Sequence, residues 1–271
     1  MDIHYKIGGK CMAYETIKVD IADRRATLSF NRPNVANSMN LLMMRELADC
    51  FEFLKENPEV QILVIKGEGN IFSAGGDIKM MVTSGEPKDF ENIMDYITRM
   101  LLALYQLPMI TIAQIRGAAA GLGFSLALGC DVIVAEENSK LAMNFIGIGL
   151  IPDGGGHFFM KERVGTPKAK QLIWAGDVMS PKEAYELGLI DHHVDEGEAE
   201  SFVDQLVGKF LSSPILAMLE TKEILHAEKL PELTNVLKRE ARGQVKMRKT
   251  EDHLEGIKAF IEKRAQQFKG K

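Results

Sequence analysis

Residues 72–77 read Phe-Ser-Ala-Gly-Gly-Asp, and residues 117–123 read Gly-Ala-Ala-Ala-Gly-Leu-Gly. Each run lies where a predicted strand ends and a predicted helix begins, and the two runs are about one βαβ unit apart. Turns rich in glycine leave backbone N–H groups unpaired and let a ligand come close to the main chain. Two such turns that face one point would form an oxyanion hole from backbone groups alone, which suits an enzyme that stabilises an enolate.

Composition bounds the remaining possibilities. The chain has 271 residues, of which 46% are hydrophobic and 26% are charged, as in a globular protein of one or two domains. A net charge of −5 argues against a broad nucleic-acid-binding surface. The first residues show no signal-peptide pattern, no apolar run reaches the length of a membrane span, and Cys11, Cys50 and Cys130 have neither disulfide nor metal spacing. We therefore expect a cytoplasmic protein without a metal site.

Strand-like and helix-like segments alternate over the first two thirds of the chain, which predicts an α/β fold. The predicted strands are 14–20 and 25–30, which alternate as in a hairpin with Asp23 in the turn, and 60–66, 109–115 and 131–135. The predicted helices are 41–57, with Asn40 as its N-cap, 90–107 and 121–129. Ser180-Pro181-Lys182-Glu183 has the pattern of a capped helix start. Beyond Gly197 nearly every segment has amphipathic helical spacing. We expect a core of residues 1–200 that contains the site and an appended helical region of residues 201–271.

An ordered series of motifs identifies a family resemblance. The motifs are Asn31-Arg32-Pro33, residues 72–79, residues 117–123, Cys130-Asp131, residues 149–152, residues 184–190 and residues 256–264. In this order and at this spacing they resemble the enoyl-CoA hydratase/isomerase (crotonase) family over nearly the whole chain. The resemblance implies a spiral of ββα turns with a C-terminal helical trimerisation region, assembled as trimers or hexamers. One fold of this kind hosts several chemistries, so the resemblance predicts the fold better than the reaction.

The resemblance also implies roles for particular residues. The family binds acyl-CoA thioesters and stabilises an enolate oxygen with two main-chain N–H groups, here those of Gly76 and Leu122. The positions expected along coenzyme A are Asn34, Val35, Ala74, Gly75, Asp77, Ile78 and Lys79, with Gly121, Ser125 and Phe145 in the same site. Phe260 and Lys263 match positions at which a neighbouring subunit closes over coenzyme A. No separate cofactor is expected, because coenzyme A is part of the substrate.

The acid/base positions depart from the hydratase pattern. Classical hydratases of the family carry two glutamates, and this chain has Ser125 and Phe145 at those positions. The acid that remains is Asp153, whose matching position is acidic in several proton-moving relatives. The residues alone favour a helix cap for Asp153, because Pro152-Asp153-Gly154 precedes an apolar run, and it is the resemblance that favours a catalytic role. Phe145 would make the pocket drier, which should raise the pKa of Asp153 and suit a general base.

The expected chemistry follows from the presence of a single acidic side chain, Asp153, at these positions. Hydration needs one group to activate water and another to protonate C2, whereas moving a double bond from C3 to C2 needs a single carboxylate near both carbons. An enoyl-CoA isomerase reaction at Asp153 is therefore our first hypothesis. The alternatives are an enoyl-CoA hydratase of fatty-acid or aromatic-acid breakdown, an acyl-CoA dehalogenase or hydrolase, and a non-catalytic CoA-ester binder.

Overall fold

The computed structural model describes residues 5–7, 10–12, 14–78 and 87–271 of the chain. Its largest sheet has six strands in the order β11-β8-β6-β5-β4-β3. The strands of this sheet are β3 (Ile17–Ala22), β4 (Arg25–Phe30), β5 (Ile62–Gly67), β6 (Ile110–Ile115), β8 (Val132–Glu136) and β11 (His192–Val194). Only β3 and β4 pair antiparallel within it, joined by a turn in which Asp23 and Arg24 have φ values of 48° and 66°. The hairpin and the α/β class are as the sequence predicts.

Two smaller sheets complete the β structure of the described residues. The strands β1 (Tyr5–Ile7) and β2 (Lys10–Met12) form an antiparallel pair. The strands β7 (Ala118–Ala120), β9 (Lys140–Ala142) and β10 (Val178–Met179) form a three-stranded sheet in the order β10-β9-β7. Because β7 holds the second glycine-rich run, this small sheet determines where that turn lies.

Eight α-helices connect and cover the strands in the described part of the chain. They are α1 (Leu41–Lys55), α2 (Pro87–Tyr105), α3 (Leu122–Leu128), α4 (Gly156–Ala175), α5 (Pro181–Glu186), α6 (Ala199–Leu211), α7 (Ile215–Met247) and α8 (Glu251–Glu262). Two 3₁₀ helices span Pro33–Val35 and Asn144–Ile148. The Asn40 side chain accepts a hydrogen bond from the Met43 N–H at the start of α1, and Ser180 and Glu183 form a capping box at α5. Both starts match the sequence prediction.

The central strands β5 and β6 of the six-stranded sheet are buried on both faces. Leu63 and Ile65 of β5 belong to the main core, while Ile62 and Val64 face a second cluster formed with Val203 of α6. Burial on both faces explains why the strands are continuous apolar runs instead of alternating ones. The second cluster also contains Val207, Ile215, Ile110, Ile112 and Val134.

The long helix α7 extends across the molecule and reaches the main core. Leu233 and Leu237 are fully buried in that core. At the other end of the helix, Lys222 donates to the Asp131 carboxylate at 2.7 Å and to the Met109 carbonyl at 2.8 Å. No single helix among the described residues is long and apolar enough to cross a membrane, although α6 and α7, bent by 98°, meet the length and composition criteria as a pair.

Candidate active site

The two glycine-rich runs lie side by side. Ser73 N–H donates to the Ala118 carbonyl at 2.9 Å, and the Ala120 N–H donates to the Ser73 carbonyl at 3.0 Å. Gly75 has a φ of +91°, and a Cβ there would lie 2.6 Å from the Ala120 oxygen and 3.4 Å from the Leu122 nitrogen. Only glycine fits this approach, because a side chain would meet the neighbouring backbone. The packing places Gly75-Gly76 directly beside the first residue of α3.

Two backbone donors at this junction have no acceptor among the described residues. Gly121, with a φ of +51°, precedes α3, so Leu122 is the first residue of the helix and its N–H has no acceptor within the helix. Within the described part of the chain, neither the Leu122 N–H nor the Gly76 N–H has a hydrogen-bond acceptor. Buried or half-buried N–H groups are usually satisfied, so a pair without acceptors at one junction is available to bind an oxygen.

Asn37 stabilises the first glycine-rich turn, residues 72–77, through hydrogen bonds of its side chain and its carbonyl group. Its side chain donates to the Glu68 and Ile71 carbonyls at 3.0 and 2.7 Å and accepts from the Arg32 N–H at 2.9 Å. Its own carbonyl accepts from the Ser73 hydroxyl at 2.9 Å. Asn37 has a φ of 51°, a conformation that asparagine tolerates better than most residues. Nothing in the local sequence indicates this role of Asn37, because it depends on contacts more than thirty positions away.

The residues expected along coenzyme A surround the same turn. Asn34 and Val35 form an exposed 3₁₀ turn, and the following Ala36 carbonyl accepts from the Ala74 N–H at 2.9 Å. Asp77 forms an ion pair with Arg32 at 3.1 Å, and Ile78 is half-buried. The structure thus brings together Asn34, Val35, Ala74, Gly75, Asp77 and Ile78. Lys79 lies outside the described residues.

Ser125 and Phe145 occupy the positions at which a hydratase would carry glutamates. Ser125 is buried in α3, and its hydroxyl contacts the Met143 sulfur at 3.7 Å. The Phe145 ring is buried and lies against Gly121, where a Cβ would be 3.6 Å from Cζ. This wall of the site is apolar and contains no carboxylate from either position.

Asp153 is the buried acid of the site. Its loop packs onto α3, since a Cβ at Gly154 would lie 2.6 Å from Leu122 Cδ1 and 3.3 Å from Ser125 Cβ. Asp153 is 6% exposed, its Oδ2 accepts from Gln244 Nε2 at 3.2 Å, and no described group donates to its Oδ1. Burial, and next to it the charge of Glu240, raise the Asp153 pKa well above its usual range.

The capping alternative for Asp153 is wrong. Gly154 and Gly155 both have positive φ values, of 62° and 77°, which delays the start of α4 to Gly156. Gly155 occupies the N-cap position, and no side chain of the cap residue makes a capping bond. Asp153 lies two residues before the N-cap position, so its carboxylate does not cap the helix.

Two polar residues of α7 complete the surroundings of Asp153. Glu240 accepts from the Gly155 N–H at 2.7 Å and from the His157 N–H at 3.1 Å, and Gln244 contacts Asp153. Neither residue is among the site residues predicted from the sequence. A signal was present, since Leu233, Leu237, Glu240 and Gln244 recur at helical spacing and therefore share one face of α7.

Phe260 and Lys263 lie at the end of α8, away from the turns. Phe260 is 55% exposed, and Lys263 ends the helix with a φ of 53°. Helix α8 packs on the 3₁₀ helix that carries Phe145, where His253 Nδ1 lies 2.8 Å from the Ile148 carbonyl. Among the described residues no hydrogen bond, ion pair or ring contact joins Phe260 or Lys263 to Gly76, Leu122 or Asp153. No group of three or more His, Cys, Asp or Glu in the described ranges could hold a metal ion.

Comparisons with known proteins show which proteins this chain resembles. The family model described as enoyl-CoA hydratase/isomerase matches residues 23–271. The Bacillus subtilis protein YhaR, provisionally named an enoyl-CoA hydratase/isomerase, is 47% identical over 90% of this chain and 94% of its own. A crotonyl-CoA hydratase of Syntrophomonas wolfei is 32% identical over 95% of this chain and 99% of its own. The 1,2-epoxyphenylacetyl-CoA isomerase of Escherichia coli is 31% identical over 90% of this chain and 95% of its own.

Solved structures agree with the sequence relatives. An enoyl-CoA hydratase from Mycobacterium avium subsp. paratuberculosis superimposes with a TM-score of 0.86 at 33% identity, covering 94% of this chain and 99% of the other. A provisionally named enoyl-CoA hydratase of Thermobifida fusca, solved in complex with CoA, gives a TM-score of 0.72 at 29% identity over 84% and 91% of the two chains. These neighbours confirm the expected fold with its C-terminal helical region. The chain therefore belongs to the enoyl-CoA hydratase/isomerase family and is an enzyme of that type.

Proposed function

We propose that this enzyme shifts the double bond of an enoyl-CoA thioester from C3 to C2, with Asp153 as the acid/base. The observation that carries the proposal is the buried Asp153 carboxylate, which has one oxygen held by Gln244 and the other without a partner among the described residues. The free backbone donors of Gly76 and Leu122 would bind the thioester oxygen. Losing one such donor typically costs about 3 kcal/mol of transition-state stabilisation.

The proposed reaction is balanced with a single carboxylate. Asp153 Oδ1 removes a proton from C2, and the electrons of that C–H bond form a dienolate. The negative oxygen of the dienolate accepts hydrogen bonds from the Gly76 and Leu122 N–H groups. The same carboxylic acid returns the proton to C4, the C3–C4 double bond is lost, and a C2–C3 double bond remains. Coenzyme A leaves unchanged as part of the product, and no step needs a resident cofactor.

The raised pKa of Asp153 supports the role of a base. A carboxylate is a stronger base towards a carbon acid when its pKa is raised, and burial raises the pKa of Asp153. Phe145 and Leu122 are both buried, so the part of the site that they form is apolar.

Hydration is the second candidate, because the Syntrophomonas wolfei crotonyl-CoA hydratase and the Escherichia coli epoxyphenylacetyl-CoA isomerase are about equally similar to this chain. Hydration needs a second acid/base group beside Asp153. Ser125 and Phe145 do not supply one, and both oxygens of Glu240 accept hydrogen bonds from Gly155 and His157. The acid inventory therefore favours the isomerase.

The deciding experiment compares Asp153→Asn with the wild-type enzyme on a 3-enoyl-CoA. We expect turnover to fall by about 10²–10⁴-fold, which is the usual contribution of a general acid/base. In deuterated water, mass spectrometry of the wild-type product should show exchange at C2 and C4. Asp177→Asn, at an exposed loop position, is the matched control and should retain full activity.

Each alternative predicts a different result. Unchanged turnover in Asp153→Asn would reject the proposal. Loss of enoyl-thioester absorbance with crotonyl-CoA, without isomerisation of a 3-enoyl-CoA, would identify a hydratase. A trapped acyl-enzyme would indicate a dehalogenase or hydrolase, and tight CoA-ester binding without turnover on any thioester would indicate a binder.

The assembly belongs to the same proposal. We propose a trimer, alone or paired into a hexamer, in which Phe260 and Lys263 of one subunit reach the coenzyme A bound by the next. Phe260, Ile261 and Leu254 are apolar and exposed on α8, which is what an uncovered interface would leave in a single chain. Light scattering gives the assembly, and Lys263→Gln should raise KM for CoA thioesters with little change in kcat.

The buried thiols of Cys50 and Cys130 are free, in keeping with the expected cytoplasmic location.

A further inference from the structure

One face of α7 carries two polar residues where apolar ones would be expected. Leu233 and Leu237 of this face are fully buried in the main core. Glu240 and Gln244 continue the same face and are only 2% and 1% exposed. Burying a carboxylate and an amide is unfavourable unless both are well hydrogen-bonded, so the contacts of these residues show what they are placed for.

The Glu240 carboxylate is held by the start of α4. Its Oε2 accepts from the Gly155 N–H at 2.7 Å, and its Oε1 accepts from the His157 N–H at 3.1 Å. His157 Nδ1 lies 2.8 Å from the same Oε1, which requires the Nδ1–H tautomer because a carboxylate can only accept. A carboxylate at a helix N-terminus is also stabilised by the helix dipole. The start of α4 therefore holds both carboxylate oxygens of Glu240 in place.

Gln244 fixes the orientation of the Asp153 carboxyl group. Its Nε2 donates to Asp153 Oδ2 at 3.2 Å and to the Ile151 carbonyl at 2.5 Å. The amide is thus anchored on the backbone of the loop that carries Asp153. Asp153 Oδ1 is buried, and no described group donates to it. The two oxygens of one carboxyl group are therefore inequivalent.

Resting on the isomerase function proposed above, we propose that Glu240 and Gln244 are positioning residues for Asp153. Gln244 selects Oδ1 as the oxygen that exchanges protons with the acyl chain, and the fixed negative charge of Glu240 makes Asp153 hold its proton more tightly. Neither residue touches the substrate in this assignment. Both act through the carboxyl group of Asp153.

The charges around Asp153 come from few groups. Helix α7 contributes Glu240, and α4 contributes His157, which contacts Glu240 and not Asp153. Helix α3 contributes Ser125, which is neutral, and the 3₁₀ helix contributes Phe145. Among the described residues Glu240 is the charged group that acts on Asp153, and burial is the larger cause of its raised pKa. Removing the Glu240 charge should therefore shift the Asp153 titration without abolishing its displacement from the ordinary range.

The first test follows Asp153 directly by ¹³C NMR of carboxyl-labelled aspartate, with Asp153→Asn to assign the signal. In Glu240→Gln we expect the titration midpoint of Asp153 to fall by about one pH unit, because a neighbouring like charge is removed. Glu223→Gln removes an exposed charge from the same helix and should leave the midpoint unchanged. If Glu240→Gln only lowers the melting temperature and leaves the midpoint where it was, Glu240 is a helix-capping residue and the assignment is wrong.

The second test uses Gln244→Met, which removes the donor at similar volume. A donor to Oδ2 favours the charged form, so the midpoint should rise, opposite to the effect of Glu240→Gln. We expect kcat on a 3-enoyl-CoA to fall about tenfold with KM nearly unchanged, since about 1.4 kcal/mol is lost with one hydrogen bond to a charged group. Gln244→Met with an unchanged midpoint and unchanged kcat would overturn the role of Gln244.

The outcomes separate this proposal from the proposed function. The NMR titration needs no substrate, so it reports on Glu240 and Gln244 even if no enoyl-CoA is turned over. Midpoint shifts of opposite sign without isomerase activity would reject the reaction and retain the positioning of Asp153. Isomerase activity with no midpoint shift in either variant would retain the reaction and reject the positioning.

Discussion

The site has two halves that are built differently. The half formed by residues 72–77 and 117–123 consists of backbone, and its parts are pinned by hydrogen bonds between Ser73 and the strand β7. The half around Asp153 consists of side chains, and its partners come from one distant helix: Glu240 lies 85 positions after its contact Gly155, and Gln244 lies 91 positions after Asp153. The backbone half offers N–H groups whatever the side chains are. The side-chain half is where members of one family can differ in reaction.

The two halves therefore inform on different aspects of function: the backbone half on what can be bound, and the side-chain half on which reaction follows. Two free N–H groups at a glycine junction indicate that a negative oxygen can be bound there, but they do not distinguish an isomerase from a hydratase. The number of acids that have a carboxylate oxygen without a hydrogen-bond partner does distinguish these two reactions. In the described residues around the junction, Asp153 has such an oxygen, whereas both oxygens of Glu240 are engaged.

Among substitutions that leave Asp153 in place, breaking the backbone half should have the largest effect on catalysis. In Gly75→Ala, the new Cβ would lie 2.6 Å from the Ala120 oxygen in a backbone with a φ of +91°, so the turn must move. We expect kcat/KM on any accepted enoyl-CoA to fall about 10²–10³-fold, as when an oxyanion-hole donor is displaced. Gly197→Ala has a similar φ of +85° with nothing within 4 Å, and it should leave kcat/KM unchanged. Equal losses in both variants would mean that backbone strain alone is responsible.

A second pair of glycines tests the packing between the turns without backbone strain. Gly123 lies in α3, and a Cβ there would be 2.8 Å from Ser73 Cβ, whereas Gly208 in α6 has nothing within 4 Å. Gly123→Ala should lower the free energy of unfolding by about 1–3 kcal/mol through overpacking. Gly208→Ala should raise it by about 0.5–1 kcal/mol, because alanine favours helices. Chemical denaturation measures both, and the same sign for the two would contradict the close approach of the turns.

In the side-chain half, Asp153→Asn should make the protein more stable while it loses activity. An acid whose folded-state pKa is raised loses stability as the pH rises above its unfolded value of about 3.9, and the full loss is reached above the folded pKa. Asn carries no such charge, so at neutral pH we expect a melting temperature about 2–4 °C higher than wild type. The gain should shrink towards pH 4. A variant less stable than wild type at pH 7 would show that the ionised carboxylate is compensated.

The smallest effect is expected outside both halves, at the start of α1. The Asn40 side chain accepts from the Met43 N–H at 2.9 Å, so Asn40→Ala should lower the free energy of unfolding by about 1 kcal/mol. Its kcat should equal that of wild type. Because the adjacent Met39 bridges to Gly76, a reduced kcat would show that the backbone half extends into α1.

The sequence predicted the backbone half well and the side-chain half only in part. Glycine patterns and the alternation of elements are local signals, so the hairpin, the cap at Asn40 and the two turns could be placed from neighbouring residues. The start of α4 could not, because two glycines in positive φ moved it past Asp153. Glu240 and Gln244 could be assigned to one helix face, but the contact of that face with Asp153 depends on how α7 docks.

The docking of α7 also sets an order of events during synthesis. A chain emerges from the ribosome amino terminus first, at about 5–20 residues per second. The two glycine-rich turns and Asp153 are complete before α7 exists, and Glu240 follows Gly155 by 85 positions. For roughly ten seconds the nascent chain therefore contains Asp153 and both glycine-rich turns without Glu240 and Gln244. Only a finished chain carries a site in which both halves are assembled.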